Sequence, residues 1–210
     1  MKPKQPVRTK GQRKTQDPCE GCLLHKSRCI CHLIPSLNLK TRLVLVIHSK
    51  ELKRTTNTGR LATLALGNSK LCVRGRPGEN LDLSDQLVPE YESFLLYPSE
   101  DAVDLSCLSR NRKLPAQLIV PDGNWRQATK VGFRHKELSH LQRVKISPPP
   151  PPNSSQTRNY LRKEHFEGGM STLEAIAFAL GHFEGSEVRE SLLGLYRAKL
   201  DATIEGRQPN

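Results

Sequence analysis

What most restricts the fold of this chain is a series of short apolar runs, at residues 42–47, 71–73, 94–97, 117–120 and 143–146, each closed by Gly, Pro, Ser or a polar turn. The first of them, Arg42 through Ile47, is continuous and rich in β-branched side chains, the pattern of a strand covered on both faces rather than on one. Helix signals fall between the runs. Thr56, Asn57, Thr58 and Gly59 precede the apolar stretch 61–66, which stops at Gly67, and a second helix is expected to begin near Trp125. Ser171 with Glu174 forms a capping-box pattern ahead of the small-residue stretch 175–180, and residues 188–200 place Leu192, Leu193, Leu195 and Tyr196 on one face. Strands alternating with helices predict a mostly parallel sheet with helices on both sides, an α/β fold.

At 210 residues the chain has room for one domain with a sizeable core and a small appendage. Three regions are expected. Residues 1–17 form a basic arm too poor in apolar surface to fold alone, 18–40 a cysteine-rich segment, and 41–204 the α/β domain. Pro148 through Pro152 reads as a stiff loop wrapping a site. No apolar run approaches the roughly 20 residues of a membrane span. The first sixteen residues carry no secretory pattern either, so a cytoplasmic location is expected. The net charge of +12 calls for a polyanionic partner, nucleic acid first, with a merely solubilising surface as the alternative.

Cys19, Cys22, Cys29 and Cys31 set two close pairs of thiols across a short loop. Four clustered cysteines in a reducing compartment suit tetrahedral zinc better than disulfides, and a closed ligand set would make that zinc structural, with free thiols or a redox pair as the alternatives. His25 and His32 stand beside the set as bystanders, while Cys72 and Cys107 read as small hydrophobes of the core.

The cysteine cluster, Thr56 to Leu61, Tyr97-Pro98-Ser99, Asp122-Gly123-Asn124-Trp125 and Ser171-Thr172-Leu173-Glu174-Ala175 resemble, in order and spacing, the DTW-domain tRNA-uridine aminocarboxypropyltransferases. Asn124 departs from the family signature, in which threonine precedes the tryptophan. The resemblance implies a SPOUT-like domain with a C-terminal knot. It also implies transfer of the 3-amino-3-carboxypropyl group of S-adenosylmethionine to N3 of a tRNA uridine, with release of methylthioadenosine. An RNA methyltransferase on the same scaffold and a non-catalytic zinc-ribbon RNA-binding protein are the competing readings, and the chain is a monomer or a homodimer.

Under this resemblance Asp122, Trp125 and Asn124 are the catalytic candidates. Tyr97, Pro98, Ser99, Asp122, Gly123, Arg162, Thr172 and Glu174 are candidates for binding the S-adenosylmethionine. Thr56, Asn57, Thr58, Arg60 and His48 are assigned to the RNA, and Cys19, Cys22, Cys29 and Cys31 to zinc. Arg158 competes with Arg162 for the transferred carboxylate. Taken alone, Asp122 also fits a helix N-cap, Trp125 a core aromatic, and His48 and Glu51 a solvated turn.

Overall fold

The computed structural model describes residues 17–147 and 170–207. Six strands form one sheet: β1 (Arg42–His48), β2 (Ser69–Arg74), β3 (Glu92–Leu96), β4 (Val103–Asp104), β5 (Ala116–Asp122) and β6 (Gln142–Lys145). Their order across the sheet is β2-β1-β5-β3-β6-β4, and every neighbouring pair is parallel. All carboxyl ends therefore lie along one edge. The helices are α1 (Gly59–Ala65), α2 (Trp125–Arg134), α3 (Thr172–Glu184) and α4 (Ser186–Glu205).

Because successive side chains point to opposite faces, β1 feeds two cores. Leu43 and Leu45 join Phe94, Leu118 and Val120 under α1, α3 and α4, where Leu61, Leu173, Ile176, Leu180, Leu192 and Leu195 close the layer. Val44 and Val46 join Leu95 and Ile119 on the other side, against Val131 of α2 and Leu138. Continuous burial of β1, predicted from its composition, follows from this double covering.

Each predicted strand lies within or overlaps an observed one, and Ser171 caps α3 with Glu174 completing the box. β4 escaped the sequence reading, being two residues long and half-buried. Two further expectations are corrected. Cys107 is exposed and belongs to no core, whereas Cys72 is buried as expected. Glu51, expected in a solvated turn, is 1% exposed and ion-paired to Arg54 at 3.2 Å. The cysteine-rich segment packs Cys22, Leu24 and Ile30 into the core shared by α3 and α4. The basic arm through residue 16, the proline run, Arg158 and Arg162 lie outside the described residues, as does the path on which a C-terminal knot depends.

Candidate active site and metal centre

β5 runs out at the carboxyl edge of the sheet, and its last residue, Asp122, is 6% exposed. Two segments distant in sequence meet its carboxylate. The Asn57 amide donates to Oδ2 at 2.5 Å and the Thr172 hydroxyl to Oδ1 at 2.6 Å. Asn57 Oδ1 in turn accepts from the Arg60 amide, and the Thr58 hydroxyl oxygen accepts from the Leu173 amide, so the start of α1 is tied to the start of α3. Asp122 is the hub of this junction. Buried carboxylates need such donors, because desolvation without them costs several kcal/mol. Gly59 makes the junction possible: a Cβ there would stand 2.9 Å from Asp122 Oδ2 and 3.0 Å from Thr172 Cγ2.

Three residues beyond Asp122, α2 begins. Asn124, not Asp122, is its N-cap: the Asn124 side chain accepts from the Gln127 amide and the Gln127 side chain accepts from the Asn124 amide. Asparagine caps as well as threonine does, which accounts for the helix start surviving the departure from the signature. Trp125 is 43% exposed, so it is no core aromatic. Its indole meets Tyr97 edge-on with centroids 6.3 Å apart, and the Tyr97 hydroxyl is held by Thr129 at 2.7 Å. Tyr97 continues β3, donating its amide to the Val144 carbonyl. Of the neighbouring candidates, Pro98 is exposed and Ser99 and Gly123 are half-buried along the same edge.

His48, at the end of β1, accepts the Lys50 amide on Nδ1. Burial, aided by the nearby Arg74, pushes its pKa below the ordinary histidine value. Glu174 closes the α3 capping box by accepting the Ser171 amide, and Thr56 and Arg60 are half-buried at the α1 end of the junction. The structure thus brings Asn57, Thr58, Asp122 and Thr172 into one bonded cluster and pairs Tyr97 with Trp125, while Asn124 and Glu174 are engaged as helix caps.

In the 18–40 segment the four sulfurs of Cys19, Cys22, Cys29 and Cys31 all lie within 4.8 Å of one another. Three of their separations are 3.4 Å (Cys19–Cys29), 3.5 Å (Cys19–Cys31) and 3.9 Å (Cys22–Cys29). A tetrahedron with metal–sulfur bonds of about 2.3 Å has edges of about 3.8 Å, so the hole fits a metal ion of that size. Gly21 leaves the room: a Cβ there would approach the Cys31 sulfur to 2.7 Å. Backbone amide donation from Cys22 brings the Cys19 thiol down to about 6, and burial pushes Cys31 up to about 12. Against this cluster lies Lys199 of α4, fully buried, its ammonium donating to the Cys22 carbonyl. Sequence reasoning missed Lys199, although its place on the stripe Leu192, Leu195, Tyr196, Lys199 marks a cation on an apolar helix face.

The sequence profile of the DTW domain matches residues 16–204, nearly the whole of the described structure. The chain belongs to the DTW-domain family. This DTW chain is similar to tRNA-uridine aminocarboxypropyltransferase 2 of Macaca fascicularis, 25% identical over 86% of the chain, and spans 61% of that protein's own length. It is also similar to tRNA-uridine aminocarboxypropyltransferase A of Arabidopsis thaliana, 24% identical over 85% of the chain and 78% of the relative. Among solved structures, the SAM-dependent rRNA acp-transferase Tsr3 from Vulcanisaeta distributa aligns over 79% of each chain with a TM-score of 0.44 and 16% identity. No helix among the described residues is long and apolar enough to cross a membrane.

Proposed function

We propose that this DTW domain transfers the 3-amino-3-carboxypropyl group of S-adenosylmethionine to N3 of a tRNA uridine and releases methylthioadenosine, acting inside the cell. The observation that carries this reading is the convergence of Asn57, Asp122 and Thr172 at the carboxyl edge of a parallel sheet, where open α/β folds bind ligands. In the reaction N3 bonds to the γ-carbon, the carbon–sulfur bond breaks with its electron pair going to sulfur, and N3 loses its proton. An imide is mostly protonated at neutral pH, so that proton needs an acceptor within hydrogen-bond reach.

Asp122 takes that role. A carboxylate offers about four lone-pair directions for hydrogen bonds, and its charge favours a sulfonium beside it. Asn57 and Thr172 act through Asp122 as positioning residues. The exposed ring of Trp125, held by Tyr97, suits stacking of an unpaired base. Tyr97, Pro98, Ser99 and Gly123 are assigned to the S-adenosylmethionine wall, and Arg162 to the carboxylate of the transferred chain. Thr56, Arg60 and His48 are assigned to the RNA side. His48, neutral near pH 7 and accepting on Nδ1, carries its proton on Nε2, which makes it a donor. The four cysteines are assigned to a structural zinc ion, which supplies folding energy to the 18–40 segment and has no open position for catalysis.

The test is incubation of unmodified tRNA with S-adenosylmethionine labelled in the aminocarboxypropyl chain, followed by mass spectrometry of the nucleosides. Label in a uridine derivative is expected. A methylated nucleoside without label makes the chain a methyltransferase, and bound RNA with no product makes it a binding protein; either result overturns the proposal.

A further inference from the structure

We infer that the outer face of α2 is the docking surface for a single-stranded stretch of the RNA, leading it into the Asp122 site. This rests on the reading that RNA is the substrate. Arg126, Lys130 and Arg134 recur every four residues, so they stack along one line of the helix, and all three are exposed. Trp125 and Phe133 flank that line on a parallel one, two turns or about 12 Å apart. Phe133 is 71% exposed, the most exposed large hydrophobic side chain among the described residues. Of the ten residues of α2 only Val131 is buried, and none is acidic.

Cationic and aromatic stripes side by side are what single strands require. Phosphates pair with the cations, and unstacked bases lie on aromatic faces, worth about 5- to 150-fold in affinity per base. A duplex has no free base faces and would leave Phe133 unused. The Phe133 ring already carries the Arg143 guanidinium 5.7 Å from its centroid, and Arg143 is oriented by Asp101 at 3.2 Å. A base entering from the open side would be sandwiched beside a cation. The stripe begins three residues from Asp122, so RNA lying along it delivers a nucleotide to the site.

The experiment measures binding of an unmodified tRNA transcript to the full chain across a salt series, alongside label transfer. Replacing Arg126, Lys130 and Arg134 together by alanine is expected to reduce the slope of log affinity against log salt by about 2 to 3, at roughly 0.7–0.9 per lost contact. Phe133→Ala, at a side chain too exposed to unfold the domain, is expected to weaken binding by about 5- to 150-fold and to raise KM with kcat unchanged. Trp125 is the only tryptophan, so its fluorescence reports the encounter directly, with quenching in the wild type at a midpoint that shifts in Phe133→Ala by the same factor. Unchanged affinity and slope in both variants would overturn the inference. So would a result in which Phe133→Ala dissolves a dimer of this chain and leaves RNA binding intact. Normal label transfer with unaltered KM removes the docking surface and keeps the enzyme; altered binding with no label in the wild type keeps the surface and removes the enzyme.

Discussion

Gly59→Ala is the sharpest probe of the Asp122 junction, because two effects of opposite sign compete there. Alanine in place of glycine in a helix gains at most about 1 kcal/mol. Against that, the new Cβ would sit 2.9 Å from Asp122 Oδ2, 3.0 Å from Thr172 Cγ2 and 3.1 Å from Asp122 Cγ, where ordinary contact begins at 3.4 Å. The neighbours must retreat by about half an ångström, and overpacking of this kind costs about 1–3 kcal/mol. The retreat also strains the hydrogen bonds from Asn57 and Thr172 to the carboxylate. A net loss of about 1 kcal/mol is expected, a fall in Tm of about 2–4 °C for a chain of this size. Activity should fall further, by about 10-fold or more, since misplacing a reacting group by 1 Å can cost about 100-fold. Gly194 of α4 is the control: a Cβ there meets nothing within 4 Å, so Gly194→Ala should raise Tm. Thermal unfolding and label transfer on both variants decide the matter. If Gly59→Ala is stabilised like Gly194→Ala and keeps full activity, the packed junction does not exist as described.

Three further outcomes are expected. Asp122→Ala should abolish label transfer while leaving tRNA affinity nearly unchanged, measured by nucleoside mass spectrometry and filter binding on the same preparation. Lys199→Met removes the donor to the Cys22 carbonyl and the cation beside the four cysteines; an orphaned buried acceptor costs about 1–3 kcal/mol, so, with the proposed zinc coupled to folding of this segment, affinity for added Zn2+ by chelator competition should weaken about 5- to 150-fold. Asp104 is held down at about 2, first by the Ser106 hydroxyl and then by that of Ser147. A depressed carboxylate contributes stability that is complete above its ordinary value of 3.8 and lost as pH falls through about 2. The Tm gap between wild type and Asp104→Asn should therefore close as pH drops through that window.

The strands were legible because burial on both faces forces a run of apolar residues, as in 43–47, and helix starts were legible because Ser171 and Glu174 satisfy orphan amides locally. β4 was not, since Val103 and Asp104 pair with only two residues of β6 and bury no side chain. The motifs were readable one by one, yet their meeting was not: Asn57 and Thr172 lie 65 and 50 residues from Asp122, and only the strand order brings them together. Glu51 gave no signal of burial, because a carboxylate after a strand looks the same in sequence whether it faces water or the interior. Trp125 illustrates the converse: a lone tryptophan at a helix start fits the core equally well, and only its 43% exposure separates the two readings.

A crystal structure of the chain with S-adenosylmethionine and a uridine-containing oligonucleotide tests the reaction centre most directly. The expected result is a uridine N3 within about 3 Å of the Asp122 carboxylate, with the sulfonium on its other side. A sulfonium bound away from the ends of β5 and β3, with Asp122 closed off behind Asn57 and Thr172, would reduce that carboxylate to a structural tie and remove the basis of the mechanism.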